Sequence, residues 1–180
     1  MTQFKAFASG VEVNGETVLS VIDGMGTFRE SALKTLAEHN IVNPQPGKWY
    51  LQQSWLDAFK AISERQGGTT LLAIGRKIPE NAQWPPEIDA LEKALASVDV
   101  AYHMNHRGGE IGNYRFDKTG DKSGKMICNN PYPCEFDRGI VDAVARKFKP
   151  QGVAMVNVVH DNSKPCRKNG ADSCTYLITW

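Results

Sequence analysis

Two of the four cysteines in this chain stand in a polar knuckle, where neither a packed core nor a turn needs a thiol. Cys166 and Cys174 flank a Lys-, Asn- and Gly-rich knuckle within "HDNSKPCRKNGADSCTYLITW", which is residues 160–180. A reversal through Gly170 would bring both sulfurs to one point, and His160 ends the apolar run that leads into the knuckle. Cys134 stands at the start of a predicted helix, where the positive end of the helix dipole favours a thiolate. Zn²⁺ is borderline-soft and takes four nitrogen or sulfur ligands tetrahedrally, so Cys134, His160, Cys166 and Cys174 form a candidate set. There is no C-x-x-C pair, so the spacing is not that of a stock zinc finger. Residue chemistry alone leaves alternatives. Cys134 and Cys174 could be small buried hydrophobes and Cys166 an idle loop thiol. Asp161 or Cys128 could replace one member of the set, although Cys128 reads as a core residue of a strand. A metal held by four protein ligands has no open position, so its contribution would be stability, about 10–16 kcal/mol in small zinc domains.

A second constellation is His103 and His106, three residues apart at the end of a predicted helix and followed by Arg107 and Glu110. With Trp55, Phe59, Tyr102 and Tyr114 they would line a mostly apolar pocket carrying a few placed polar groups. The plain alternative for each ring is core packing. As acid–base groups, His103, His106 and Glu110 are the only catalytic candidates, and nothing else supports an enzyme. "GMG" at residues 24–26 lacks the third glycine of a dinucleotide loop. No nucleophile elbow, phosphate loop or Ser-His-Asp order is visible.

These side chains need a scaffold, and 180 residues suffice for one domain, taken here as residues 1–180. Residues 1–94 read as mainly helical. An N-terminal hairpin is expected around Asn14-Gly15, and a capping box at Thr27 and Glu30 opens a helix with Phe28, Leu33 and Leu36 on its apolar side. "KWYLQQSWLDAFKAISER" repeats at helical spacing, "TTLLAIGRKI" is a helix stopped at Pro79, and a fourth helix runs from Glu87 past Tyr102. Residues 95–180 change character. "IGNYRFDKTGDKSGKMICN" reads as a hairpin, Pro133 begins a helix that Pro150 ends, "VAMVNVVH" is a strand, and "SCTYLITW" alternates cleanly. The sum is α+β, with a helical N-terminal half packed on an antiparallel β-β-α-β-β sheet.

At 41% hydrophobic, 23% charged and net +1, with basic residues scattered among acids, the chain lacks a nucleic-acid binder's footprint. Its apolar runs are too short to span a membrane. The first residues lack a basic start followed by an apolar block, so a cytoplasmic address and reduced thiols are expected.

The stretch "NNPYPCEFDRGIVDAVARKF … VNVVHDNSKPCRKNGADSCTYLITW" resembles the 4-vinyl-reductase-type ligand-binding domain. That domain also forms the aromatic-effector sensors of phenol-responsive bacterial activators, and it shares a superfamily with H-NOX haem domains. The likeness is clearest over about residues 95–180. In the phenol-sensor branch it implies a structural zinc held by three cysteines, matching Cys134, Cys166 and Cys174, and by a carboxylate. Here no Glu stands at that place, and His160 or Asp161 is nearest. The H-NOX branch implies haem, with His103 or His106 near the position of the proximal ligand. The family's Tyr-x-Ser-x-Arg motif is not reproduced: Tyr132-Pro133-Cys134-Glu135-Phe136 occupies the place, and Arg138 is displaced.

The expectation that follows is a small-molecule-binding, sensory domain with a structural zinc. Its ligand would be hydrophobic, aromatic or tetrapyrrole-like, and a separate signalling protein would carry its output. Three alternatives stand beside it: a haem sensor, an enzyme related to tetrapyrrole vinyl reductases, and an adaptor that forms a homodimer through the apolar stretch Phe4–Ile22.

Overall fold

The computed structural model describes residues 3–180. In chain order the elements are β1 (Glu12–Asn14), α1 (Gly15–Gly24), α2 (Arg29–Glu38), β2 (Trp49–Leu51), α3 (Gln52–Gln66) and α4 (Gly68–Asn81). They continue as α5 (Leu91–Met104), β3 (His106–Arg107), β4 (Asn113–Gly120), β5 (Ser123–Asn129), α6 (Cys134–Lys147), β6 (Asn157–His160) and β7 (Cys174–Thr179). The expected α+β order is present: five helices precede a β-β-α-β-β unit. Its four strands are antiparallel in the order β4-β5-β7-β6.

Strand periodicity decides the inner face of this sheet. Cys174, Tyr176 and Ile178 of β7 and Met126 and Cys128 of β5 are fully buried, whereas Leu177 is exposed. Helix α6 covers the sheet and is nearly all apolar inward, with Phe136, Ile140, Val141, Val144 and Ala145 buried. It lies in backbone contact with α4. A Cβ added to Gly75 would sit 2.1 Å from the carbonyl oxygen of Phe136, and one on Gly139 would sit 2.3 Å from that of Leu72. Two glycines facing each other across the crossing are what lets these helices approach.

The N-terminal hairpin is replaced by a strand and a helix. Asn14 is extended, at φ −72° and ψ 157°, and its side chain accepts from the Thr17 amide at 3.0 Å, capping α1. Gly15 is needed for a close approach rather than a turn, because a Cβ there would lie 1.9 Å from the Gln45 carbonyl oxygen. Asn-Gly therefore serves a helix start. β1 instead becomes the middle strand of a small antiparallel sheet, β2-β1-β3. The apolar edge on which the adaptor reading rested is gone, since Val13, Val18, Val21 and Ile22 are buried.

Other boundaries shift for local reasons. Residues 26–28 form a tight 3₁₀ turn, so no side chain caps α2 and Phe28 is exposed. Trp49–Leu51 pair with β1 before α3 begins. Pro79 lies inside α4, two residues before its end, where one missing N–H costs only a bond of the last turn. α5 starts at Leu91 rather than Glu87, and the strand expected over "VAMVNVVH" is confined to Asn157–His160.

Candidate metal centre and the aromatic core beside it

Four elements deliver the sulfur cluster. Cys134 is the first residue of α6, entered through an extended Pro133. His160 is the last residue of β6, and Cys174 the first of β7. Cys166 precedes a 3₁₀ turn that ends at Gly170, whose φ of +88° suits glycine and folds the knuckle back. The Sγ–Sγ separations are 3.2 Å for Cys134–Cys174, 3.6 Å for Cys134–Cys166 and 3.7 Å for Cys166–Cys174. One ligand atom from each of Cys134, His160, Cys166 and Cys174 lies within 4.8 Å of the others. Two of the sulfur separations approach the edge of about 3.8 Å that a tetrahedron with 2.3 Å zinc–sulfur bonds would have.

His160 carries the best evidence that the residues fit a metal. Its Nδ1 lies 3.1 Å from Asn162 Oδ1, and a proton on Nδ1 donated there would leave the lone pair on Nε2. That Nε2 is buried with no oxygen or nitrogen partner among the described residues, and the His160 side chain helps to hold the Cys174 thiol down. A second partner fixing the imidazole's tautomer is what a metal-binding histidine needs. Asp161 turns away, accepting from the amide and hydroxyl of Ser163 at 3.0 and 2.6 Å. Cys128 faces Cys174 across the β5–β7 ladder but is buried in the core, outside the cluster.

Charge around the sulfurs is arranged for thiolate. Arg167, fully buried, directs its backbone N–H and Nε–H at Cys174 Sγ, at 3.5 and 3.4 Å. Its guanidinium also donates to Asp137, likewise fully buried, and to Asn130. Gln3 donates to Cys134 Sγ at 2.7 Å. The hydrogen bond from Cys134, aided by Arg167, holds Cys174 well below the ordinary thiol range against the effect of burial. The same bond, with burial, pushes the donor Cys134 up. All four cysteines are free.

Asp137 passes the network onward. It accepts from Tyr114 Oη at 2.5 Å, and the Tyr114 ring lies edge-on to Tyr102, centroids 5.1 Å apart. From Tyr102 a continuous nest of rings runs inward through His106, Tyr132, Trp55, Phe59 and Phe136. Five of the six expected pocket residues, Trp55, Phe59, Tyr102, His106 and Tyr114, are thus brought together. His103 is apart: its ring is about half exposed and bonded to the Asp99 carbonyl of its own helix.

Polar atoms inside the nest are few and specific. His106 Nδ1 lies 2.8 Å from the Tyr102 carbonyl oxygen and so must carry the proton. Its Nε2 then accepts from Tyr132 Oη at 2.6 Å, and Tyr132 Oη accepts from Gln52 Nε2 at 3.0 Å. Burial pushes the His106 pKa down to about 4. Gln52 Oε1 and Trp55 Nε1, an acceptor and a donor one helical turn apart on α3, have no partner among the described residues. Outside the nest, a surface cavity of about 210 Å³ is lined by His103, His106, Arg107, Gly109, Glu110 and Ile111. Gln52, Arg167 and Asp137 escaped the sequence reading, and Tyr132 entered it only as the first residue of the unreproduced motif. Tyr132 could have been found from its place two residues before Cys134.

No protein-family model matches the chain, and no curated protein does either. Solved structures do. An H-NOX protein from S. oneidensis in the Fe(II) ligation state is 14% identical, with a TM-score of 0.70 over 92% of this chain and 95% of that one. The Fe(II)NO ligation state of an H-NOX protein from the same organism gives 14% and 0.69 over 92% and 97%. A mutant H-NOX of T. tengcongensis gives 15% and 0.67 over 92% and 96%. At such identities the likeness speaks to architecture, and the architecture is clear: this chain has the H-NOX fold.

Proposed function

We propose that this chain is a non-catalytic, small-molecule-binding sensory domain, stapled by a structural zinc, whose ligand is a hydroxyl-bearing aromatic ring. The observation that carries the ligand reading is the pair Trp55 Nε1 and Gln52 Oε1. An unpaired N–H and an unpaired C=O in a nest of rings each cost about 1–3 kcal/mol. A phenol-type hydroxyl is the group that pairs with both, accepting from an N–H and donating to a C=O, once the rings packed around Trp55 and Gln52 part to admit it. His106 links the site to the surface, because it lines the 210 Å³ cavity and is bonded to Tyr132. Trp55, Phe59, Tyr102 and His106 would thus line or gate the site, with Tyr114 and His103 on its flanks.

Zinc, held by Cys134, Cys166, Cys174 and His160, would fix α6 to the two last strands. The buried Nε2 of His160 supports it. With four protein ligands it leaves no position for substrate, which fits a structural role. The guanidinium of Arg167 would offset the excess negative charge of three thiolates. Output would pass to a separate signalling protein.

Haem is the second reading, favoured by the fold, since the Fe(II) ligation states of the S. oneidensis proteins and the heme redox potential of another neighbour are named as such. The residues of this chain do not fit it. Both nitrogens of His106 are engaged, His103 faces outward, and the space beside them is filled by Trp55, Tyr132 and Phe136.

Calorimetric titration of the purified protein with phenol tests the proposal. Saturable binding is expected, weakened at least about tenfold in Trp55→Phe, which keeps a ring and removes the N–H. Absence of phenol binding in the wild-type chain would contradict the ligand reading. A Soret band in purified protein, lost in His106→Ala, would favour haem instead.

A further inference from the structure

We propose that a cleft between the C-terminal halves of α4 and α6 is a second binding site, built for a phosphate-type oxyanion. The backbone contact at Gly75 and Gly139 sets Arg76 of α4 beside Asp142 of α6, three residues on from Gly139. The Asp142 side chain is 7% exposed, and its Oδ2 takes Arg76 Nε at 2.8 Å, Arg76 Nη2 at 2.7 Å and Arg146 Nε at 2.8 Å. One buried carboxylate oxygen therefore holds two guanidinium groups in fixed positions. Neither is used up: Arg76 Nη1 and both terminal nitrogens of Arg146 have no partner among the described residues.

These two arginines, with Lys147, Glu80 and Ala143, line a cavity of about 310 Å³. Lys147 Nζ lies over the face of Trp84, 5.5 Å from its centroid, and Trp84 is itself packed on Phe148. Glu80 is the one opposing charge on the lining, and Lys77 holds it at 2.6 Å. The neighbourhood thus sets four cations against two carboxylates, each already paired. Ala143, 8% exposed, completes the lining, and its side chain is small. Two guanidinium groups fixed on one carboxylate and lining one cleft match a tetrahedral dianion better than a monovalent anion such as chloride. Free phosphate and the phosphate of a monoester present the same chemistry. The cleft lies apart from the sulfur cluster and the ring nest, so this site does not depend on either.

The test is a titration of the full chain with inorganic phosphate and with phenyl phosphate, against sodium chloride at matched ionic strength, followed by thermal shift and calorimetry. Phosphate is expected to bind and raise the melting temperature where chloride does not. Tighter binding of phenyl phosphate would point to a monoester, and equal binding to the free ion. Arg146→Gln, which leaves Arg76 on Asp142, should weaken binding at least about tenfold. Ala143→Leu, which changes no charge, should do the same by adding bulk to the lining. A wild-type response indistinguishable from chloride, or wild-type affinity in either variant, would overturn the proposal.

Discussion

Two sets of side chains decide this protein's chemistry, and they were unequally visible in its sequence. The sulfur cluster was legible from two thiols flanking a polar knuckle, although Cys134 and Cys174 also prove to be buried in the core. Arg167 and Asp137 were not, since "CRKNGAD" and "EFDRG" read as solvated charge. Only the fold shows that Asp137 and Arg167, 30 positions apart, meet in the interior. His106 carries a prediction at this scale. Burial holds its folded pKa at about 4, against an ordinary value of 6.5. As pH falls from about 6.5 towards 4, the unfolded chain binds a proton that the folded chain refuses. This residue's share of stability, about 3 kcal/mol, is therefore present above 6.5 and lost progressively down to 4. Urea midpoints of wild-type and His106→Gln protein should diverge at neutral pH and converge as pH is lowered. A constant offset across that range would refute the assignment.

The elements show why period outranks dipeptides as a guide. The β-β-α-β-β order was readable because β7 alternates strictly and α6 repeats every three to four residues. Asn14-Gly15 misled because a helix cap and a hairpin turn draw on the same residue types. The difference lies in Gln45, whose carbonyl leaves no room for a Cβ at residue 15 and is remote in sequence. The α4–α6 crossing had no sequence signal either, since Gly75 and Gly139 are isolated glycines in helical patterns. It has a sharp consequence. In Gly75→Ala the new methyl would fall on the Phe136 carbonyl, so the helices must part, at a cost of about 1–3 kcal/mol. The same separation would displace Arg76 from Asp142. A urea midpoint unchanged in Gly75→Ala would show that the crossing is looser than described.

At the scale of the whole molecule, the sulfur cluster joins a helix to the two last strands through a knuckle with little apolar packing of its own. Within residues 161–173 Arg167 alone is buried, so little apolar packing orders the knuckle. The network from Cys174 through Arg167, Asp137 and Tyr114 connects the sulfur cluster to the ring nest. Among the described residues no helix is long and apolar enough to cross a membrane. The ring nest explains how an H-NOX fold can be kept while its interior is filled. Trp55, Phe59, Tyr132 and Phe136 take up the volume, and Tyr132 occupies the histidine's free nitrogen.

The staple itself is open to one direct measurement: zinc content and X-ray absorption at the zinc edge, on protein purified without chelator. The account predicts one zinc per chain, with three sulfurs at about 2.3 Å and one nitrogen at about 2.0 Å. His160→Ala should replace that nitrogen with water oxygen or lower the occupancy. Protein that holds no stoichiometric zinc after expression in zinc-supplemented medium, or a shell of oxygen and nitrogen alone, would contradict it.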